Sequence, residues 1–208
     1  MYKHFLAAAG IAALSVAAAQ AGDFYVLGAA GRSTLDLDKS RIDAELVNAG
    51  AANLSSSGDK HDTGYKLQLG YQFSPYLAVE GGYIDLGRAD YTARFTGGNL
   101  DAHVKAQGWN IEAVGIWPIN DQFNLFAKLG AIVARVKVDG NVSGGGITLQ
   151  AADKVTRTRP TWGIGAGYAF NKNLALRLEY EWFDKLGDTE RTTQFDARLI
   201  SLGLAYKF

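Results

Sequence analysis

The 208-residue chain has no cysteine and only three prolines, and beyond its first residues no apolar run is long enough to cross a bilayer as a helix. Each lack excludes something. Without cysteine there is no disulfide framework, no thiol nucleophile and no thiolate metal site. Charge of either sign is not in excess: 21 basic and 21 acidic residues cancel to a formal net charge of zero, so nothing points to a nucleic acid or to a polybasic membrane patch. Glycine, in contrast, is abundant at 25 residues, without the spacing of collagen or the low complexity of a linker.

The opening stretch MYKHFLAAAGIAALSVAAAQAG has a basic start at Lys3, an apolar core from Phe5 to about Ala19, and the small-x-small sequence Ala19-Gln20-Ala21. That order predicts a secretory signal over residues 1–21, with one mature domain over residues 22–208. The run is too short and too rich in small residues at its end for a spanning anchor. A hydropathy plot of the remainder looks soluble. So does that of a transmembrane β-barrel, because only alternate residues of its strands meet lipid.

Alternation with a period of two residues marks eight segments of about ten residues each. DFYVLGAAGR (Asp23 to Arg32) is the first, and the pattern leaves its facing open. GYKLQLGYQF is the cleanest, with Tyr65, Leu67, Leu69, Tyr71 and Phe73 opposite Gly64, Lys66, Gln68, Gly70 and Gln72. LAVEGGY, WNIEAVGIW, FNLFAKLGAIV, TWGIGAGYAF, LALRLEYEW and the terminal RLISLGLAYKF complete the set. Ser74-Pro75-Tyr76, Pro118 to Gln122 and Asn171-Lys172-Asn173 read as tight turns. The other connections are long and polar, roughly Ser33 to Asp62, Ala89 to Gln107, Val138 to Arg159 and Asp184 to Asp196. Short turns on one edge and long loops on the other, with an even strand count, predict an all-β, eight-stranded antiparallel up-and-down transmembrane β-barrel.

The bulky apolar side chains lie opposite a series of Gly, Gln, Glu, Lys and Arg, so the polar series is read as the lumen and the apolar series as the lipid face. Tyr71, Phe73, Trp117, Tyr168, Phe170, Tyr206 and Phe208 fall at the short-turn ends; Tyr65, Tyr83, Trp109, Trp162 and Trp182 fall at the long-loop ends. Two aromatic girdles are expected. Inward positions supply Glu80, Glu112, Glu179 and Glu181 against Lys66, Lys128, Arg177 and Lys207, a one-for-one balance that suits mutual pairing rather than an ion-selective pore. Arg177 is the expected hub, because its planar fork can bridge two carboxylates.

YQFSPYLAVEGGYIDLG, AQGWNIEAVGIWPINDQFNLFAKLGA, LALRLEYEWFDKLGD and LGLAYKF resemble the N-terminal transmembrane domain of outer-membrane protein A and its small-barrel relatives. The resemblance covers the second to eighth strands. It implies a Gram-negative outer-membrane location with both mature ends in the periplasm, contact with outer-membrane lipid and lipopolysaccharide, and a monomer. It also implies insertion by the outer-membrane assembly machinery, which reads a C-terminal aromatic, here Phe208 with Tyr206 beside it. Matched by position, Glu80, Arg177 and Lys128 stand where the family carries its buried acid and bases; Gly167 stands where relatives carry a second acid and Val114 where they carry a lysine. Those two departures imply a rewired interior, completed by Glu112 and Glu179. With the chain stopping at Phe208, the peptidoglycan-binding domain of full-length relatives is expected to be absent.

Catalysis finds little support. The mature histidines are His61 and His103, both near the loop-side rim; His61 abuts Asp62, and Ser55, Ser56 and Ser57 are close in sequence. A histidine beside an acid in a polar loop is common by chance, so no catalytic residue is assigned. Leu35-Asp36-Leu37-Asp38 lacks the ligands of a calcium loop, and Gly144-Gly145-Gly146 lacks the lysine and helix of a phosphate cradle. No cofactor or metal is expected. The expected function is structural, with weak porin-like passage or surface contact through the long loops; a lipid A-modifying hydrolase or acyltransferase is the alternative.

Overall fold

The computed structural model describes residues 22–144, 147–188 and 194–208, with backbone only at 147–148. The expected signal lies outside these residues, as do Gly145 and Gly146 of the glycine run. The elements run β1 (Asp23–Asp36), α1 (Lys39–Asn48), β2 (Ser55–Asp59), β3 (His61–Ser74), β4 (Leu77–Phe95), β5 (Gly98–Pro118), β6 (Phe123–Gly144), β7 (Ile147–Ala169), β8 (Leu174–Leu186) and β9 (Phe195–Lys207). Every pairing is antiparallel: β1 pairs with β3, each strand from β3 to β8 pairs with the one that follows it, and β1 closes the ring against β9 from Tyr25↔Lys207 to Asp36↔Asp196. Strands β2 and β3 both pair with β4 and are separated only by Lys60, so the nine strands make eight staves.

The short turns form as the sequence predicts, and side chains make them. Asn120 Oδ1 accepts from the backbone N–H groups of Gln122 and Phe123, Asn171 Oδ1 from those of Asn173 and Leu174, and Ser74 Oγ from that of Tyr76. The opposite end corrects the sequence reading. Most of Ala89 to Gln107 and of Val138 to Arg159 is a continuation of strands β4 to β7, and the first long connection contains α1. Asp38 caps that helix by accepting from Arg41 N, and Arg41 pairs with Glu45 one turn on at 3.1 Å. The alternating acids before it have separate tasks. Asp36 pairs with Arg198, while Leu35 and Leu37 turn inward and are buried.

Two staves break their register at the same kind of sequence. Asp85-Leu86-Gly87 in β4 and Lys185-Leu186-Gly187 at the end of β8 each bury a leucine completely and follow it with a glycine of positive φ, +72° at Gly87 and +82° at Gly187. An acid holds each irregularity. Asp85 Oδ1 accepts from Gly87 N and Asp62 Oδ2 from Arg88 N, while Asp196 Oδ1 accepts from Lys185 N. Above the first break, Ala89, Tyr91 and Ala93 are the buried residues.

Outward residues form an apolar band closed by aromatics at both edges. Leu69, Leu129 and Trp117 are 67%, 68% and 75% exposed, which no water-facing surface of this extent tolerates. Trp117, Phe123, Phe170, Tyr206 and Phe208 edge the band at the short turns. Tyr65, Tyr83, Trp109 and a stacked Trp162–Trp182 pair, with centroids 4.0 Å apart, edge it on the other side.

Candidate functional site: the barrel lumen

The lumen is filled in three layers. Nearest the short turns, Tyr25, Leu27, Ala78, Val114, Phe126 and Ala205 form a small apolar layer. Two glycines make room for its rings: a Cβ on Gly70 would stand 2.1 Å from the Tyr25 ring, and one on Gly165 would stand 2.3 Å from the Phe126 ring. Below this layer a cavity of about 860 Å³ opens to the short-turn end and stops at Tyr25, Phe126 and Arg177. Val114 belongs to this layer, and Gly167 faces the Asn124 amide at the cavity wall.

The middle layer is ionic and buried. Lys128 Nζ lies 2.8 Å from Glu80, 2.9 Å from Glu112, 3.1 Å from Glu179 and 3.2 Å from Glu181. Lys66 Nζ lies 2.6 Å from Glu179 and 2.5 Å from Glu181. Arg177 bridges Glu80 at 2.5 Å and Glu179 at 3.1 Å, with its guanidinium 4.2 Å from the Phe126 ring centroid. Neutral groups complete the layer: Tyr25 donates to Glu80 at 2.5 Å, Thr161 to Glu112 at 2.9 Å, and Gln68 to Asn110 at 3.3 Å.

All five sequence-predicted interior residues, Glu80, Glu112, Lys128, Arg177 and Glu179, therefore meet, but not as expected. Arg177 does bridge two carboxylates, yet the hub is Lys128, which reaches four. Its three rotatable donors suit a position where carboxylates converge from several strands, whereas a planar fork serves one side. Lys207 does not join. It is part-exposed at the lower rim and pairs with Asp23, which leaves Glu80, Glu112, Glu179 and Glu181 facing, among the described residues, only Lys66, Lys128 and Arg177. Tyr25, Gln68, Asn110 and Thr161 are partners the sequence reading did not assign. Gln68 and Asn110 were legible from strand parity alone.

The third layer overturns the expectation of a polar interior throughout. Beyond the ions the lumen is an apolar core in which Leu35, Ile84, Leu86, Ile132, Phe183, Leu186 and Leu199 are fully buried, extended by Val104, Ala106, Val136 and Phe195. Where the register is unbroken a strand keeps its inward parity while its chemistry reverses: on β6, Lys128 and Gly130 give way to Ile132, Ala134 and Val136, while outward Leu129 and Val133 give way to Arg135 and Lys137. The reversal falls where the lipid band ends.

The histidines and serines do not converge. His61 Nδ1 contacts Thr34 Oγ1 at 3.0 Å, Asp62 is taken up by backbone N–H groups, and Ser56 donates to Asp43 at 2.8 Å. His103 Nδ1 lies 2.6 Å from Asp90 on the exposed outer face. No group of three or more metal-ligating side chains occurs among the described residues. Tyr206 and Phe208 project outward at the short-turn edge with ring centroids 5.4 Å apart, and Phe208 N donates to Phe24 O at 3.0 Å.

The family described as OmpA-like transmembrane domain matches residues 19–208. Outer membrane protein A of Shigella flexneri is 36% identical over 163 residues, which cover 71% of this chain and 45% of that protein. The Escherichia coli O157:H7 protein of the same name is 30% identical over 198 residues, covering 94% and 54%. The chain thus spans about half the length of these relatives. Among solved structures, the outer membrane protein OprG from Pseudomonas aeruginosa aligns with a TM-score of 0.56 at 17% identity, covering 90% of this chain and 96% of that chain. The attachment invasion locus protein Ail of Yersinia pestis aligns at 0.53 and 17%, covering 91% and 100%.

Proposed function

This chain belongs to the OmpA-like transmembrane-domain family and is an outer-membrane β-barrel; on that premise we propose that it is a sealed, structural barrel rather than an open pore or an enzyme. One observation carries the reading: the buried ion network is held between two apolar layers that share the same lumen. An eight-stranded barrel is only wide enough for side chains to fill it, and here they do. A hydrated ion would have to displace Phe126 and Tyr25, break the Lys128 and Arg177 pairs, and then part a core packed around Phe183. Ion-selective pores instead carry rings of one charge along an open path.

The short turns, Asp23 and Phe208 face the periplasm in this reading, and the long hairpins β4–β5 and β6–β7 stand outside the cell for surface contact. Tyr206 and Phe208, unobstructed at the barrel's lower edge, serve the assembly machinery. The separate partners of His61 and His103 favour a non-catalytic role over lipid A hydrolysis or acyl transfer. Planar-bilayer recording tests the seal. Wild type is expected to give no steady current, and Phe183→Ala combined with Arg177→Ala is expected to raise the frequency of brief openings. Steady, large, ion-selective currents from wild type that the double variant leaves unchanged would replace this reading with a porin.

A further inference from the structure

The outer face of β5 and β6 carries a basic patch at the edge of the lipid band. On β5 the outward residues beyond Trp109 are Gln107 and Lys105; on β6, beyond Val133, they are Arg135 and Lys137. Register sets Gln107 opposite Arg135, Lys105 opposite Lys137, and Lys137 opposite Lys154 of β7. Three exposed lysines thus lie side by side on adjacent strands, with Arg135 one row nearer the membrane. Like charges directly opposed weaken a sheet. Of the nearby acids, Asp85 pairs with Lys105 Nζ at 3.0 Å and relieves that lysine alone, while Asp139, the next outward residue above Lys137, stands opposite His103. Among the described residues, the side chains of Arg135, Lys137 and Lys154 have no hydrogen-bond or ion-pair partner.

Their height matters as much as their charge. At about 3.3 Å per residue on a strand tilted by about 40°, Arg135 stands roughly 5 Å beyond Val133, and Lys105 and Lys137 roughly 10 Å beyond the band. Arg135 therefore lies within the headgroup layer, which adds about 5 to 8 Å to each side of the hydrocarbon core, and the two lysines stand just above it, with side chains long enough to reach back down.

We propose that Lys105, Arg135 and Lys137, with Lys154 at the upper margin, bind the phosphorylated headgroup of the outer-leaflet glycolipid, whose acyl chains lie on Ile111, Leu129, Val133 and Trp109. A phosphate between the strands satisfies the opposed ammonium groups and the guanidinium, which grips two oxygens at once. The site rests on the outward orientation of the long hairpins proposed above. Its binding chemistry, however, is testable in purified protein whichever way the barrel faces in the cell.

The full chain, folded in detergent micelles, is titrated with bisphosphorylated lipid A, with phosphatidylglycerol and with inorganic phosphate at low and high salt. Lipid A is expected to bind at least about tenfold more tightly than either other ligand, to weaken with salt, and to lose about tenfold or more in Arg135→Gln/Lys137→Gln. That variant is expected to keep the folded, heat-modifiable gel mobility and to unfold in urea no earlier than wild type, since it removes repulsion rather than a contact. Unchanged lipid A affinity in the variant, or equal binding of phosphatidylglycerol or free phosphate, overturns the site. Loss of heparin binding with lipid A binding intact would reassign the patch to a sulfated glycan.

Discussion

At the scale of single residues the network around Lys128 decides most. Among the described residues its ammonium is the only cation within 3.2 Å of Glu80, Glu112, Glu179 and Glu181 alike, and the only one paired with Glu112, so its removal leaves that carboxylate without a counter-charge and the others with fewer. Breaking a buried pair costs about 3 to 5 kcal/mol. Lys128→Ala is expected to lose at least that much in urea unfolding from lipid vesicles, and more than Arg177→Ala, which deprives only Glu80 and Glu179. Equal losses would mean that the two cations share the load evenly. Strand parity placed Glu80, Glu112, Lys128, Arg177 and Glu179 on the inner face from sequence alone, because alternation records facing. It did not rank them. Which ammonium sits at the centre depends on the stagger between strands across the barrel, a long-range quantity with no local signature. Lys207 illustrates the same limit: its parity is inward, but its height at the rim gives it Asp23 and water instead of the network.

At the scale of elements, the upper hairpins and α1 are where the sequence reading fell short. Val104 and Ala106 alternate with His103 and Lys105, and Val136 alternates with Arg135 and Lys137, so the strand signal was present. The stretch reads as loop in the sequence because the phase turns over: outside the membrane a barrel needs its apolar residues inside. The helix has no buried residue and hangs on polar contacts, which gives it a pH dependence. Hydrogen bonds from the Tyr91 hydroxyl and then from Ser56 hold the Asp43 carboxyl below its ordinary range. A depressed acid contributes stability that is present above its unfolded value and disappears as pH falls through the folded one. Burial, and then the same bond to Asp43, push the Tyr91 hydroxyl up to about 12, so that side of the contact weakens above its unfolded value near 10. Protection factors for amide exchange over residues 39–48, taken relative to the intrinsic rate at each pH, are therefore expected to be highest near neutrality and to fall below about pH 4. Asp43→Asn should flatten the acid limb. An unaltered acid limb in that variant would place the anchor elsewhere.

The whole molecule behaves as two barrels of opposite solvent preference sharing eight staves. Its orientation is open to direct measurement: with no native cysteine, a single cysteine at Gln150 on the long β6–β7 hairpin is expected to react with an impermeant thiol reagent on intact cells, and one at Lys172 in the β7–β8 turn is not. Labelling at Lys172 alone would turn the molecule over. The reversal of facing at the end of the lipid band also fixes how deep the barrel rides. Sinking by one outward residue on each stave, about 5 Å, would carry Arg32, Arg135 and Arg198 toward hydrocarbon, where an arginine costs up to about 2 to 4 kcal/mol at the midplane. Rising by the same step would lift Trp109, Val133 and Ile200 into water and drag the short turns into the acyl chains. Both displacements are opposed on several staves at once. The protein therefore has a waterline, drawn in its sequence where the inner and outer faces trade chemistry, and a membrane of another thickness would have to bend to meet it.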